Sequence, residues 1–215
     1  MSEKKIIDKK IIDKKIYYDW IGNAKKPEIF YKCLESWKKN LPNFEIIEIN
    51  EKNFDMEKHL KIFLVNLNYL KKNRFFRECY EKKLWAYVSD YMRVHFMYEN
   101  SGIYVDTDME IIKDLAPILE GKISFFQNQK DKISKKMEFF IGYEDKKHIS
   151  VGIFGTTKHN EILKEIMEFY EADIWEKPIW TIPKIFTYVF EKKYNLSEKR
   201  ENILKDGEII IFSKE

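Results

Sequence analysis

Two aspartates, Asp106 and Asp108, close the run Gly102-Ile103-Tyr104-Val105 and could do chemistry together. β-Branched and aromatic residues entered through a glycine predict a short buried strand over Ile103–Val105, so both carboxylates fall where it ends. At i, i+2 on extended backbone they point to the same side. Two like charges held at one place repel each other unless a cation neutralises them. Oxygen-only ligands suit Mg²⁺ or Mn²⁺, and Mg²⁺ held by one or two carboxylates completes its shell with water and substrate phosphates. The segment therefore points to a metal–diphosphate site. The bland alternative for a bare Asp-x-Asp is a solvated strand end.

The element that must position this pair is the segment before it. Lys82 to Asn100 predicts a helix, with Leu84, Trp85, Val88, Met92, His95 and Phe96 as an apolar stripe. Ala86, Ser89, Asp90 and Arg93 fall on a neighbouring face. Asn100-Ser101-Gly102 stops the helix, with Gly102 as a left-handed cap. The short link to the strand brings Asp90 and Arg93 near the aspartate pair. Taken alone, Asp90 and Arg93 read first as a surface i, i+3 ion pair worth a few tenths of a kcal/mol.

The run Ala86 to Arg93, followed by Tyr98 to Asp108, resembles the signature of the DXD-containing sugar transferases of glycosyltransferase family 32, and more distantly the glucosyltransferase domains of clostridial toxins. The resemblance extends from about residue 15 to 170, through Lys15–Gly22, Cys33–Lys38, Phe140–Glu144 and Val151–Gly155. It implies an α/β chain of GT-A type, a nucleotide-diphospho-sugar transferase fold in a single domain with a mixed central sheet flanked by helices. It implies a metal-dependent, retaining hexosyl transfer from a nucleotide-sugar donor, a UDP-sugar being favoured, to a glycan or lipid-linked glycan acceptor of a bacterial capsule or lipopolysaccharide. Carried over by motif, Asp106 and Asp108 hold Mn²⁺ or Mg²⁺ and the donor, and Asp90 and Arg93 hold the donor sugar and phosphate. Tyr104 lies near the ribose and Trp20 near the base. No protein nucleophile is implied.

Those residue types suit the chemistry. Negative charge grows on the leaving diphosphate, and a divalent cation stabilises it as a Lewis acid. Arg93 offers a forked donor to phosphate, Asp90 an acceptor for sugar hydroxyls, and Trp20 a flat apolar face. Trp20 reads equally as core, and Tyr104, mid-strand between Ile103 and Val105, reads first as core. The chain departs from the family at Ser101, at Thr181-Ile182-Pro183 where a glycine is usual, and at Ser150 where an asparagine is usual. The resemblance also implies a segment with a late His and Trp beyond the Ile209–Phe212 strand, and the sequence stops at Glu215. The alternative function is therefore a degenerate transferase that binds a nucleotide-sugar or a partner without turnover.

Composition fits one domain spanning residues 15–215 behind a basic tail, 1–14, that repeats Lys-Lys-Ile-Ile-Asp. A net charge of +3 argues against a nucleic-acid partner, and the scattered lysines suit peripheral contact with an anionic membrane face. Cys33 and Cys79 lie in no metal spacing and predict reduced, buried thiols. No stretch reaches the ~20 apolar residues of a membrane span, and no signal-peptide core is present, so a cytoplasmic protein is expected, peripheral on the inner membrane at most. Further strands are expected at Ile16–Trp20, Phe44–Ile49, Ile123–Gln127, Glu138–Gly142, His148–Gly155 and Glu208–Phe212. Helices are expected at Pro27–Lys39, Asp55–Tyr80, Glu161–Tyr170 and Ile182–Lys193. Trp175–Trp180 reads as a loop with exposed or lid aromatics. Of the histidines, His95 reads as core, His159 as a loop residue able to touch substrate, and none as a catalytic base.

Overall fold

The computed structural model describes residues 11–22, 24–60, 73–120, 137–145, 148–176, 180–194, 196 and 202–213. Five of its elements build the first half: β1 (Lys15–Asp19), α1 (Glu28–Asn40), β2 (Glu45–Ile49), α2 (Met56–Leu60) and α3 (Arg74–Glu81). The signature region supplies α4 (Trp85–Glu99), β3 (Gly102–Val105) and the short α5 (Ala116–Leu119). Then come β4 (Phe139–Tyr143), β5 (Ile149–Thr156), α6 (Glu161–Glu171), α7 (Ile182–Tyr194), β6 (Asn202–Leu204) and β7 (Ile209–Phe212).

The strands form one mixed sheet in the order β2-β1-β3-β5-β4-β7-β6. β2, β1 and β3 run parallel, so β1 and β3 end on the same edge. β5 runs against both β3 and β4 and joins the parallel half to the rest. Both faces of the sheet are covered. Ile16, Tyr18, Ile103 and Val105 pack toward Phe30, Cys33 and Trp37 of α1, which repeat at i, i+3, i+7. Tyr17, Tyr104 and Phe154 pack on the opposite face with Val88 and Met92 of α4, Ile166 of α6 and Phe186 of α7.

The expected mixed α/β architecture is present, and the differences have local causes. α4 is buried almost all round, with Tyr91, Val94 and Met97 inside as well as the expected stripe, while Leu84 is exposed. A helix apolar on most sides is an interior helix, which a stripe template underestimates. Gly102 is no helix cap. It opens β3 with φ +148°, and a Cβ there would sit 2.7 Å from the Tyr17 ring and 2.9 Å from the Lys15 carbonyl. The N-terminal segment already packs before residue 15: Ile12 is buried, and Ser101 Oγ accepts from the Asp13 N–H and donates to the Ile11 carbonyl. Trp180 is no free lid aromatic; it stacks on Phe169 and meets Tyr188 edge-on. β6 went unread in the sequence because three residues pairing with β7 carry too little pattern. The strand expected at 123–127, the repeat through residue 10 and the middle of the expected 55–80 helix lie outside the described residues.

Gly102→Ala should therefore cost about 2–3 kcal/mol, since the positive φ and the fixed Lys15 carbonyl leave no way to relax. At Gly142 an added Cβ would meet only the Phe212 carbonyl, at 4.0 Å. Gly142→Ala should change stability by less than about 1 kcal/mol. Denaturant midpoints of the two variants check the contrast.

Candidate functional site

The parallel half of the sheet delivers two carboxylates to one edge. Asp19 ends β1 and Asp106 follows β3, and the Tyr17–Tyr104 register sets the two level. Strand ends at such an edge are where open α/β sheets place ligands. The chain does not continue extended beyond Val105. Met109 N–H donates to the Asp106 carbonyl at 3.0 Å, closing a turn through Thr107 and Asp108. The same-side argument from strand spacing thus fails locally, yet the turn brings Asp106 and Asp108 to the wall of one cavity.

That turn is gripped on both sides. Asp106 N–H donates to the Gly152 carbonyl of β5 at 2.7 Å. From α1, Trp37 Nε1 donates to the Met109 carbonyl, Asn40 Nδ2 to the Ile111 carbonyl, and Ser36 Oγ accepts the Ile111 N–H. Gly152 matters for space. A Cβ there would lie 3.2 Å from Asp106 Oδ2, so the absent side chain leaves the carboxylate its room.

Arg93 is at the centre. Its side chain is 9% exposed, so the surface-pair reading of Asp90 and Arg93 is excluded. Nη1 donates to Asp106 Oδ1 at 2.8 Å, and Nη2 donates to Ser89 Oγ at 3.0 Å and pairs with Asp90 Oδ1 at 3.2 Å. The guanidinium lies over the Tyr104 ring, 4.7 Å from its centroid, and Nε is buried with no hydrogen-bond partner among the described residues. Burial opposes the Arg93 charge, but Tyr104 and the carboxylates of Asp106, Asp19 and Asp90 hold its pKa well above the ordinary value.

Tyr104 is fully buried, and its hydroxyl lies 2.9 Å from Asp19 Oδ1 and 3.0 Å from Asp106 Oδ1. The expected ribose contact does not fit a side chain with no accessible surface; Tyr104 orders the carboxylates instead. Burial raises the Asp106 pKa, with Asp19 and Asp108 adding to the rise and Arg93 and the Tyr104 hydroxyl opposing it. Burial likewise pushes Asp90 up to about 6, against the pull of Arg93, with Asp19 and Asp106 adding to the rise and the Ile182 N–H opposing it.

The cavity beside this cluster measures about 740 Å³. Asp90, Arg93, Asp106 and Asp108 line one part of it, Ser150 and Gly152 another, and Glu144, His148, Thr181 and Lys184 complete it. Ile182 needs no glycine-like freedom. It opens α7 with its side chain buried and its N–H on Asp90. A second cleft of about 300 Å³ adjoins Asp19 and Ser89 and holds Trp20, Ile21 and Trp85. Trp20 is half-buried there, its Nε1 donating to the Ala24 carbonyl.

The structure therefore joins Asp90, Arg93, Asp106 and Asp108 in one cavity and sets Trp20 in the adjoining cleft. Sequence reasoning missed Asp19, Glu144 and His148; the signal for Asp19 was an acid ending a strand parallel to β3. His159 faces Glu99 and Tyr98 and does not line the cavity, and His95 is core, stacked on Tyr91 at 3.9 Å. Cys33 and Cys79 are free and buried.

A divalent cation fits the donor set. Asp106 Oδ1 is taken by Arg93 and Tyr104, while Oδ2 has no hydrogen bond among the described residues. Asp108 is exposed on the same cavity. Among the described residues no three His, Cys, Asp or Glu side chains converge as a ready-made chelate. Two carboxylates completed by phosphate and water is the arrangement Mg²⁺ commonly adopts.

The family model described as "Glycosyltransferase sugar-binding region containing DXD motif" matches residues 27–136, slightly more than half of the chain. A sequence search of curated proteins finds no match. Among solved structures the chain is similar to the PaToxG glycosyltransferase, with a TM-score of 0.61 at 18% identity, covering 86% of this chain and 70% of that one. It is also similar, with a TM-score of 0.47 at 12% identity, to the UDP-bound glycosyltransferase domain of the YGT toxin, covering 93% of this chain and 66% of that one. The first likeness is one of fold and agrees with the expected GT-A architecture. Among the described residues no helix is long and apolar enough to cross a membrane.

A pKa of about 6 makes Asp90 a group whose folded form prefers the proton. Its contribution to stability is complete below the ordinary carboxylate pKa and is lost as pH rises through about 6. Asp90→Asn carries a permanently neutral group. Its stability relative to wild type should rise by on the order of 2 kcal/mol between about pH 4 and about pH 8, read from metal-free denaturation curves. A constant difference would mean that Asp90 titrates as an ordinary carboxylate.

Proposed function

Because the chain belongs to the family of glycosyltransferases whose sugar-binding region contains the DXD motif, we propose that it is a metal-dependent, retaining transferase moving a hexosyl group from a UDP-sugar to a bacterial surface-glycan acceptor, free or lipid-linked. The observation that carries the donor reading is the single cavity shared by Asp90, Arg93, Asp106 and Asp108. UDP and the glycan acceptor rest on the motif resemblance. In this reading residues 15–215 form the transferase domain and residues 1–14 precede it.

Asp106, through Oδ2, and Asp108 would hold Mn²⁺ or Mg²⁺ against the donor diphosphate. Bound there, the cation stabilises the charge that the diphosphate gains as it leaves. The protein's own side chains do the rest. Arg93 is fixed by Asp90, Asp106 and Ser89 and adds a positive charge that needs no rearrangement as the leaving group forms. Asp90 faces the cavity as an acceptor for sugar hydroxyls and as a negative charge opposing the oxocarbenium-like centre. Trp20, with Trp85 beside it in the adjoining cleft, offers an aromatic face to the base.

Calorimetric titration of UDP, with GDP for comparison, tests the reading. Wild type should bind UDP far better with Mn²⁺ than without it. Asp108→Asn should abolish the manganese-dependent part while its unfolding midpoint stays within about 1 kcal/mol of wild type, because Asp108 is exposed. Unchanged binding in Asp108→Asn would remove that residue from the site.

Trp20→Ala should weaken UDP binding by about 1–3 kcal/mol through lost stacking. The Mn²⁺ dependence of what remains should be retained. Loss of metal dependence in that variant would assign Trp20 to the cavity's architecture.

A further inference from the structure

The phenol of Tyr104 has one proton and two carboxylates to give it to. Its oxygen lies 2.9 Å from Asp19 Oδ1 and 3.0 Å from Asp106 Oδ1, and the ring is sealed from solvent. The two acceptors are unequal. Asp106 has the Arg93 guanidinium at 2.8 Å, whereas among the described residues Asp19 has no cation within ion-pair distance. Asp19 is itself buried, and its only other hydrogen bond among the described residues comes from Ser89 Oγ, at 2.5 Å to Oδ2. By taking that proton, Asp19 turns a lone pair of Ser89 toward Arg93 Nη2. The groups close a ring, Asp19 to Tyr104 to Asp106 to Arg93 to Ser89 and back.

We propose that Asp19 is a positioning residue for the cation site, competing with Asp106 for the single phenolic proton of Tyr104 and taking it over when a divalent cation settles on Asp106. The proposal rests on the donor-site reading above. A cation draws electron density from the Asp106 oxygens and makes them poorer acceptors, so the proton's better partner becomes Asp19. The hand-over is a rotation of one hydroxyl, because both acceptor distances already suit a hydrogen bond. No heavy atom has to move, and Arg93 keeps its bond to Asp106 throughout. Without Asp19 the Tyr104 hydroxyl would keep donating to Asp106 and compete with the ion for the same carboxylate. Without the proton there is nothing for the ion to displace.

The two ends of this bridge therefore predict different effects, weakening on loss of Asp19 and none on loss of the phenol, which a merely structural role does not. Mn²⁺ is titrated into the 215-residue chain with UDP in large excess, for wild type, Asp19→Asn and Tyr104→Phe, with unfolding midpoints recorded for each. Asp19→Asn, which offers a weaker acceptor and removes a nearby negative charge, should weaken Mn²⁺ on the order of tenfold. Tyr104→Phe, nearly equal in volume, should leave Mn²⁺ affinity unchanged or raise it up to about threefold. Weakening in Tyr104→Phe comparable to that in Asp19→Asn would overturn the proposal, as would unchanged affinity in Asp19→Asn. Wild type that binds no UDP with Mn²⁺ would instead overturn the donor-site reading on which the proposal stands.

Discussion

A guanidinium removed from water dictates the architecture around it. Burying an ion costs several kcal/mol unless partners of good geometry offset it, and Arg93 obtains those partners from three different elements. Asp106 comes from the end of β3, Ser89 and Asp90 from its own helix, and Asp19, acting through Ser89, from the end of β1. Asp90 is tied in turn to the first turn of α7 through the Ile182 N–H. The helix rotation, the level of two strand ends and the start of a distant helix are thus set against one cation. Carboxylates outnumber it, and the cluster's excess negative charge faces the cavity.

The rest of the chain divides the work of holding those ends. The parallel strands bring Asp19 and Asp106 level, and antiparallel β5 lays Gly152 beside Asp106, receiving its N–H and yielding space to its carboxylate. On the far side of the sheet α1 does more than cover apolar residues. Three of its side chains, Ser36, Trp37 and Asn40, bond to the backbone that leaves the Asp106–Asp108 turn. A turn held from both sides keeps an exposed Asp108 near its place without any bond to its own side chain being needed.

Much of this was legible in the chain itself. The strand-plus-aspartate run, the helix before it and the pairing of Asp90 with Arg93 all follow from local pattern, because each lies within about twenty residues of the next. What stayed hidden depends on contacts between distant segments. Nothing local says that Asp19 meets Tyr104 across 85 residues, or that Tyr104 is sealed from solvent. The i, i+2 argument reached the right cavity by the wrong geometry, since a turn replaced the extended backbone. Gly102 was read as a helix cap, while its cause lies in the neighbouring strand, at Tyr17 and Lys15. Asp19 ends a strand legible in the sequence, but nothing local pairs that strand with β3, and His148 on the cavity wall carries no spacing signal at all.

On the proposed donor-site reading, the commitment of Asp106 Oδ1 to Arg93 and Tyr104 would govern how metal and substrate enter. The protein offers an ion only one unengaged oxygen of Asp106 and the carboxylate of Asp108, with no third chelating side chain among the described residues. Such a half-built shell would have little hold on free metal by itself. On the proposed reading the missing ligands would arrive with the diphosphate. Occupancy would then depend on the product of ion and nucleotide concentrations rather than on either alone, and departure of the nucleotide would take most of the ion's coordination with it. On that reading an idle protein would sequester neither, and each turnover would begin from the same bare pair of carboxylates.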